Sequence, residues 1–451
     1  MAVKTQILSF LTMSAKFLNQ ISSFLIFTLF DILDFVLCYI YKVADFLIEA
    51  EWKACYCSPA KEAITSSCKV VGESKIVRLN CSKLQLEEIS DTLYNRPCLA
   101  TEIFKSKIVN SSSNKFNNRT FAVIGRQQKL NPIPRWSECD CKTCTSWASS
   151  CKETLFVKAD GAKGKKKDNV QEDVLFIHGF ISSSAFWSET LYPNFSKSAK
   201  SKYRLLAMDL LGFGKSPKPT DSLYTLREHL EMIETSVLDP YNVKSFHIVA
   251  HSLGCILALA LAVKYSGSVK SLTLIAPPYF PAPKGEQATQ HMMRRIAPRR
   301  VWPPIAFGAS ITCWYEHISR TICLVMCKNH RAWEFLTKLL TRDRIKTYLM
   351  EGFLRHTHKS SWHTLHNIIC GTAGKVEGYL DEVKNRLKCD ITIFHGKDDE
   401  LIPVECSYNV KSRIPQAHVK VVKNKDHINI VVGRQKVFAR ELEEIWKNAS
   451  G

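Results

Sequence analysis

From Val174 onward the chain alternates short apolar runs with longer amphipathic ones. VLFIHGF (Val174–Phe180), YRLLAMDLLGFGKS (Tyr203–Ser216), SFHIVAHSLG (Ser245–Gly254), SLTLIAPP (Ser271–Pro278), CDITIFHG (Cys389–Gly396) and HVKVV (His418–Val422) are apolar without a strict period of two. Unbroken apolar runs suit strands covered on both faces. The segments between them carry helical patterns, CILALALAVKY (Cys255–Tyr265) being the most apolar. Strands alternating with helices predict βαβ units and a mostly parallel sheet flanked by helices, an α/β class.

The rhythm is interrupted twice. Residues 281–385 are rich in Trp, His and Arg with apolar helical patterns, and the strand signal resumes after them. A helical insertion between two strands of one sheet predicts a cap over the strand ends. Residues 51–160 are rich in Cys, Ser and Lys with little periodicity, and GAKGKKKDN (Gly161–Asn169) follows as a polar linker. The chain therefore divides into an apolar segment (1–50), a Cys-rich, poorly ordered region (51–160), the first part of the core (161–280), a basic helical cap (281–385) and the second part of the core (386–451).

The first segment changes the picture most. ISSFLIFTLFDILDFVLCYIY (Ile21–Tyr41) is long enough for a signal-anchor or the apolar part of a signal peptide. Asp31 and Asp34 lie inside it, and an ionised carboxylate at bilayer depth costs about 3 kcal/mol. Asp31, Asp34, Lys42, Asp45 and Glu49 recur at steps that fit one helix face, which predicts an amphipathic helix lying in the membrane interface. Cys38, Cys55 and Cys57 sit in or just after this element and are candidate palmitoylation sites.

The formal charge is +20, and residues 281–360 alone carry nine more basic than acidic side chains. A surplus of this size favours anionic surroundings such as a membrane surface or an anionic cell-wall polymer. Zinc-finger spacing, RNP-like segments and long basic helices do not occur, so nucleic acid is not expected as a partner. An odd total of 17 cysteines favours the secretory pathway. Cys139, Cys141 and Cys144, with Cys151 after them, are spaced tightly enough for zinc, but disulfides are the expectation in an oxidising compartment. His356, His358, His363 and His366 cluster in the cap without an acid or thiol spaced to complete a metal site, so no metal and no cofactor is expected. Dinucleotide and P-loop motifs are missing from the sequence.

The candidate chemistry centres on AHSLG, between an apolar strand and an apolar helix. A serine on a tight strand-to-helix turn stands above the sheet edge and needs small neighbours. Ala250, His251 and Gly254 would form this elbow around Ser252, with Ala250 where the general pattern has glycine. A serine hydroxyl is a weak nucleophile until a base, itself held by a carboxylate, takes its proton. In this architecture the chain order is Ser, acid, His. FHGKDDELIP supplies Asp398 and Asp399, of which Asp399 is favoured by its place relative to Gly396 and Pro403, and NKDHINIVVG supplies His427. The oxyanion hole is expected from Leu253 N–H and Phe180 N–H, with Gly179 allowing close approach and His178 shaping the loop. Cys255 reads as a buried filler.

With these residues in place, the chain resembles the plant BODYGUARD type of α/β-hydrolase, known as probable lysophospholipases. The resemblance runs through EWKACYC, EISDTLYNRP, PRWSECDCKTCTSW, VLFIHGFISSSAFW, DLLGFGKSPKP, VAHSLGCILALALAVK, VWPPIAFGAS, WYEHISRTICLV, SWHTLHNII, HGKDDELIPVECSY and DHINIVVGRQ. AHSLG with alanine is the form this type carries. The resemblance implies an α/β-hydrolase fold, a lipid or acyl-ester substrate, a role in cuticle and cutin formation, and residence at the plasma membrane or in the cell wall. Hydrolysis of long-chain acyl esters is the expected activity. Acyl transfer through the same acyl-enzyme, and a non-catalytic binding or signalling role on the same scaffold, are the alternatives.

Overall fold

The computed structural model describes residues 2–49, 56, 76–79, 82–85, 88–94, 135–145, 154–161, 172–220, 222–342 and 345–449. Strands β1 (Ile76–Leu79) and β2 (Ser82–Gln85) form a separate antiparallel hairpin. The main sheet holds β3 (Val157–Gly161), β4 (Glu172–Ile177), β5 (Tyr203–Met208), β6 (Phe246–His251), β7 (Val269–Ile275), β8 (Asp390–Gly396) and β9 (His418–Val422). Their spatial order is β3-β5-β4-β6-β7-β8-β9, with β3 antiparallel to β5 and every other pairing parallel.

The strands are apolar on both faces because both faces are covered. In β4, Val174 and Phe176 pack with Trp187, Tyr192, Phe438 and Trp446 on one side. Leu175 and Ile177 pack on the other side with the apolar helix α2 (Leu253–Lys264). All four strand residues are fully buried, each worth about 1.5–3 kcal/mol of transfer free energy. The edge strand β3 departs from the expected boundary. The sequence pattern puts Val157–Asp160 in the irregular N-terminal region and Gly161 at the start of the core, but the strand pairs with β5 from Val157↔Met208 to Gly161↔Arg204. Its own burial is only partial, as suits an edge, so it lacks the long apolar run that marks a central strand.

The N-terminal segment is one continuous helix, α1 (Ala2–Glu49), long and apolar enough by length and composition to cross a membrane. Its acidic side chains do not line a solvent face. Asp31, Asp34 and Asp45 dock on the cap, whose helix α3 spans Glu316–Met326, and Glu49 docks on the block around Arg135. Asp34 Oδ1 accepts from His317 N at 2.9 Å and Ile318 N at 3.0 Å, a carboxylate satisfying the free donors at the start of α3. Arg320 donates to both oxygens of Asp45, at 2.8 and 2.7 Å, and its guanidinium lies 4.4 Å over the Tyr41 ring. Asp31 pairs with Arg299 at 2.9 Å, and Glu49 accepts from Trp136 N at 3.2 Å. Part of the cap's basic surplus is therefore spent on α1.

On the outward face of α1, Phe24, Leu25, Leu29, Ile32, Val36, Ile40 and Leu47 are exposed. The expectation of one polar and one apolar face holds, but the polar face meets protein rather than water. Cys38 is buried, which leaves its thiol inaccessible to the acylation expected of it. Cys55, Cys57 and Cys151 lie outside the described residues.

The Arg320–Asp45 pair is desolvated, while Arg299–Asp31 is largely exposed. Removing one partner of a buried pair costs about 3–5 kcal/mol where the other charge is left alone; Arg135, 3.1 Å from Asp45, lessens that cost for Arg320→Ala without removing it. An exposed pair is worth about 1 kcal/mol or less. Chemical denaturation of the detergent-purified chain should show Arg320→Ala strongly destabilised and Arg299→Ala only slightly.

Candidate active site

Ser252 occupies the junction between β6 and α2 with φ +53° and ψ −122°, a conformation side-chain-bearing residues rarely adopt. Its N–H is held by Ile275 O at 2.8 Å. Close neighbours explain the small residues around it. A Cβ on Gly254 would stand 2.7 Å from both Ile177 O and His178 O, backbone atoms that cannot swing away. A Cβ on Gly179 would come within 3.0 Å of His251 Nδ1 and 3.2 Å of Ser252 Cβ. Ala250 is fully buried in β6. Cys255 is also fully buried, its thiol 3.3 Å from Ala250 O, and burial pushes that thiol far above its usual range. It is an unreactive filler.

Asp399 follows β8 and His427 follows β9. His427 Nδ1 lies 2.7 Å from Asp399 Oδ2, and Asp399 Oδ1 accepts from Leu401 N at 3.0 Å and Ile402 N at 2.8 Å. Burial by itself would raise the Asp399 carboxyl. The hydrogen bonds from His395 and His427, the charge of His427 and the Ile402 N–H outweigh it and hold the group well below the usual carboxylate range. Asp398, by contrast, is exposed and its N–H goes to Lys425 O. Gly396 lets the two loops pass: a Cβ there would strike Lys425 O and stand 2.8 Å from Asp426 O.

His427 is set beside the elbow through His251. His251 Nε2–H donates to His427 O at 2.9 Å, and the two rings lie 4.6 Å apart. Burial first, and the neighbouring His427 second, push the His251 imidazole down to about 3, so it is a neutral donor. Among the described residues the Ser252 hydroxyl makes no hydrogen bond to His427. Such contacts are often long before substrate binds and tighten in the complex. Both residues are 7% exposed.

Leu253 N–H opens α2 and Phe180 N–H lies in the loop after β4. Among the described residues neither is spent on a hydrogen bond, which leaves both available to an oxyanion. Phe180 packs edge-on against Phe213 at 5.9 Å. His178 shapes this loop: its Nδ1–H donates to Gly179 O at 2.7 Å, and its Nε2 accepts from Leu210 N at 2.9 Å.

A serine on a strained turn, an imidazole oriented by a carboxylate and two unspent N–H groups make an arrangement suited to acyl transfer once substrate brings the hydroxyl to the base. The family profile described as alpha/beta hydrolase fold matches residues 174–302. "Probable lysophospholipase BODYGUARD 1" of Arabidopsis thaliana is 56% identical over 461 residues, covering 97% of this chain and 98% of that protein. The chain belongs to the BODYGUARD family of α/β-hydrolases. "Probable lysophospholipase BODYGUARD 3" is 55% identical, covering 97% and 98%, and "Probable lysophospholipase BODYGUARD 4" is 39% identical, covering 94% and 96%, both from the same plant.

Some functional positions in this BODYGUARD-family chain escaped sequence reasoning. His395, at the end of β8, donates from Nε2 to Ile402 O at 2.8 Å and braces the loop of Asp399; only its closeness to that acid hinted at this. Asp209 clamps the neighbouring loops through Ser184 N at 2.5 Å and Lys215 N at 2.7 Å.

The cap histidines need correction. His356 meets two thiols, Cys323 and Cys327, which had been judged lacking. His358, His363 and His366 instead bond Glu316, Tyr56 and Thr92. The expected disulfides at Cys139, Cys141 and Cys144 are not formed, and these thiols are gathered with His330. Both groupings have ligand atoms close enough to hold a metal ion, which spacing along the chain did not reveal because ligands from distant segments meet only when the cap folds. The CLVMCKNH run (Cys323–His330) was the available signal.

The neutral state of His251 has a pH signature. Its folded value lies near 3, against about 6.5 unfolded, so between these limits the unfolded chain binds the extra proton. This contribution is complete above about pH 6.5 and falls as pH drops, by up to about 1.4 kcal/mol per unit. Urea midpoints measured from pH 7 to 4 should fall. His251→Gln, which keeps a donor for His427 O, should flatten that slope.

Proposed function

We propose that this protein is a serine hydrolase of long-chain acyl esters, a lysophospholipid, monoacylglycerol or cutin-type ester, acting at a membrane surface on the secretory side. The observation that carries the reading is the 2.7 Å bond between His427 and a strongly acidic Asp399, set beside the strained Ser252 turn. Asp399 holds the imidazole with Nδ1 protonated, leaving Nε2 as the base. On substrate binding the Ser252 hydroxyl turns to His427, loses its proton there and attacks the ester carbonyl. Leu253 and Phe180 N–H groups receive the oxyanion. The imidazolium then protonates the departing alcohol, and water activated by His427 releases the acid. No cofactor enters this scheme.

The lipid assignment draws on the names of the relatives, on the apolar outer face of α1 and on the exposed Trp302, Phe335 and Leu340 of the cap. A cuticle role and residence at the plasma membrane or cell wall draw on the family resemblance, with the basic surface suited to anionic lipid or wall polymer. Acyl transfer to a hydroxy fatty acid or glycerol is the second reading. The near-complete burial of Ser252 and His427 favours it, because a site shielded from water lets an alcohol compete for the acyl-enzyme.

With lysophosphatidylcholine or a monoacylglycerol as substrate, Ser252→Ala should lower turnover by about 10⁴-fold or more. Unchanged ester cleavage by the purified variant would sink the assignment. Added glycerol should divert product into new ester if transfer is the native reaction. In liposome flotation the wild-type chain should rise with anionic vesicles. Phe24→Lys/Leu29→Lys/Ile40→Lys should remain below, each buried charge costing about 3 kcal/mol.

A further inference from the structure

Ligand atoms from two distant parts of the chain converge on one point. Cys139, Cys141 and Cys144 belong to the block around Arg135–Thr145, and His330 opens cap helix α4 (His330–Thr341). The three sulfurs and one imidazole nitrogen lie within 4.8 Å of one another. His330 Nε2 stands 3.6 Å from Cys141 Sγ and 3.6 Å from Cys144 Sγ. Bonds of about 2.3 Å to sulfur and about 2.0–2.1 Å to nitrogen, opened to the tetrahedral angle, separate S and N by roughly 3.6 Å. The observed spacing matches the edge of a zinc tetrahedron.

The rear of the imidazole is prepared as well. His330 Nδ1 lies 3.1 Å from Glu334 Oε1, one turn along α4, and Arg355 Nε lies 3.4 Å from the same oxygen. A carboxylate behind a histidine fixes the tautomer whose free Nε2 lone pair points at the sulfurs, the usual support for a metal-bound imidazole. We propose that Cys139, Cys141, Cys144 and His330 bind one zinc ion in a closed structural site that fastens the Cys-rich block to the cap. Soft thiolate donors in tetrahedral spacing select zinc over magnesium or calcium. Four protein ligands leave no position for substrate, so the ion is structural and stands apart from the Ser252 chemistry.

The location gives the ion a purpose. The same block holds α1 through Arg135 and Trp136, which bond Asp45 and Glu49, while Lys328 Nζ bonds Trp136 O at 2.6 Å. Zinc would lock the block to α4 and so join membrane helix, block and cap. Cys323, Cys327 and His356 show similar edges, 3.7 and 3.6 Å, but supply only three ligands. They are not part of the proposal.

The test uses the full chain purified in detergent without added metal. Elemental analysis should find at least one zinc per chain, and Cys141→Ser/Cys144→Ser should carry about one fewer. Cobalt exchanged into the wild-type chain should show thiolate-to-cobalt charge transfer and the strong visible bands of tetrahedral coordination. In the wild-type protein, Cys139, Cys141 and Cys144 should resist alkylation until a chelator is added, a measurement that does not depend on a variant folding. The proposal is overturned by a chain that takes up neither metal, by zinc content unchanged in the double variant, or by peptide mapping that finds these thiols disulfide-bonded or freely alkylated before chelation.

Discussion

The candidate active site depends on a single backbone strain: Ser252 held at φ +53° between a buried strand and a buried helix. A left-handed residue in that place costs of order 1–3 kcal/mol and persists only where its surroundings over-determine it. Here they do. Ile275 O anchors its N–H from the next strand, Gly254 lies against the backbone of β4, and α2 leaves the turn as a fully apolar helix pressed on the sheet. The same crowding brings Gly179 against the elbow, so the loop bearing Phe180 and the turn bearing Ser252 are placed by one contact. Burial of the parallel strands thus supplies the free energy that holds the serine in its strained turn.

The acid and the base are positioned by a second close approach, at Gly396, where the loops after β8 and β9 touch through backbone atoms. Asp399 is over-anchored, with two backbone N–H groups and two histidines around it. That abundance of donors keeps it ionised despite burial, which orients His427 in one tautomer. His251 ties the base to the elbow from behind and stays neutral because burial and the neighbouring His427 outweigh the help that the His427 carbonyl and Asp399 would give a charge there.

The half of the molecule built around α1 follows a different logic. Carboxylates inside an apolar helix look costly as long as lipid is their only neighbour. In the folded chain Asp31, Asp34 and Asp45 find a cation or a helix N-terminus on the cap, Glu49 finds Arg135 and Trp136 in the Cys-rich block, and the helix presents its apolar side outward. The helix is thereby a fixed part of the cap rather than a free tether, and the Cys-rich block is the third piece of that assembly.

Local pattern alone determined the sheet strands from β4 onward, the elbow around Ser252, the order Ser–Asp–His and the apolar helix at the start. Each of these is encoded within a few consecutive residues, by period, by glycine placement or by loop position. Asp399 over Asp398 was legible from its spacing to Gly396 and Pro403, because strand-end geometry constrains which carboxylate turns inward. Tertiary structure alone decided what depends on residues far apart in the chain. Edge strand β3 is specified by its partner β5, not by its own half-polar sequence. The acids of α1 found their cations across some 270 residues, His251 met His427 across 176, and three thiols near residue 140 met His330 across nearly two hundred. Spacing along a chain carries no information about such meetings, since only the packed cap sets the distance between their ligand atoms.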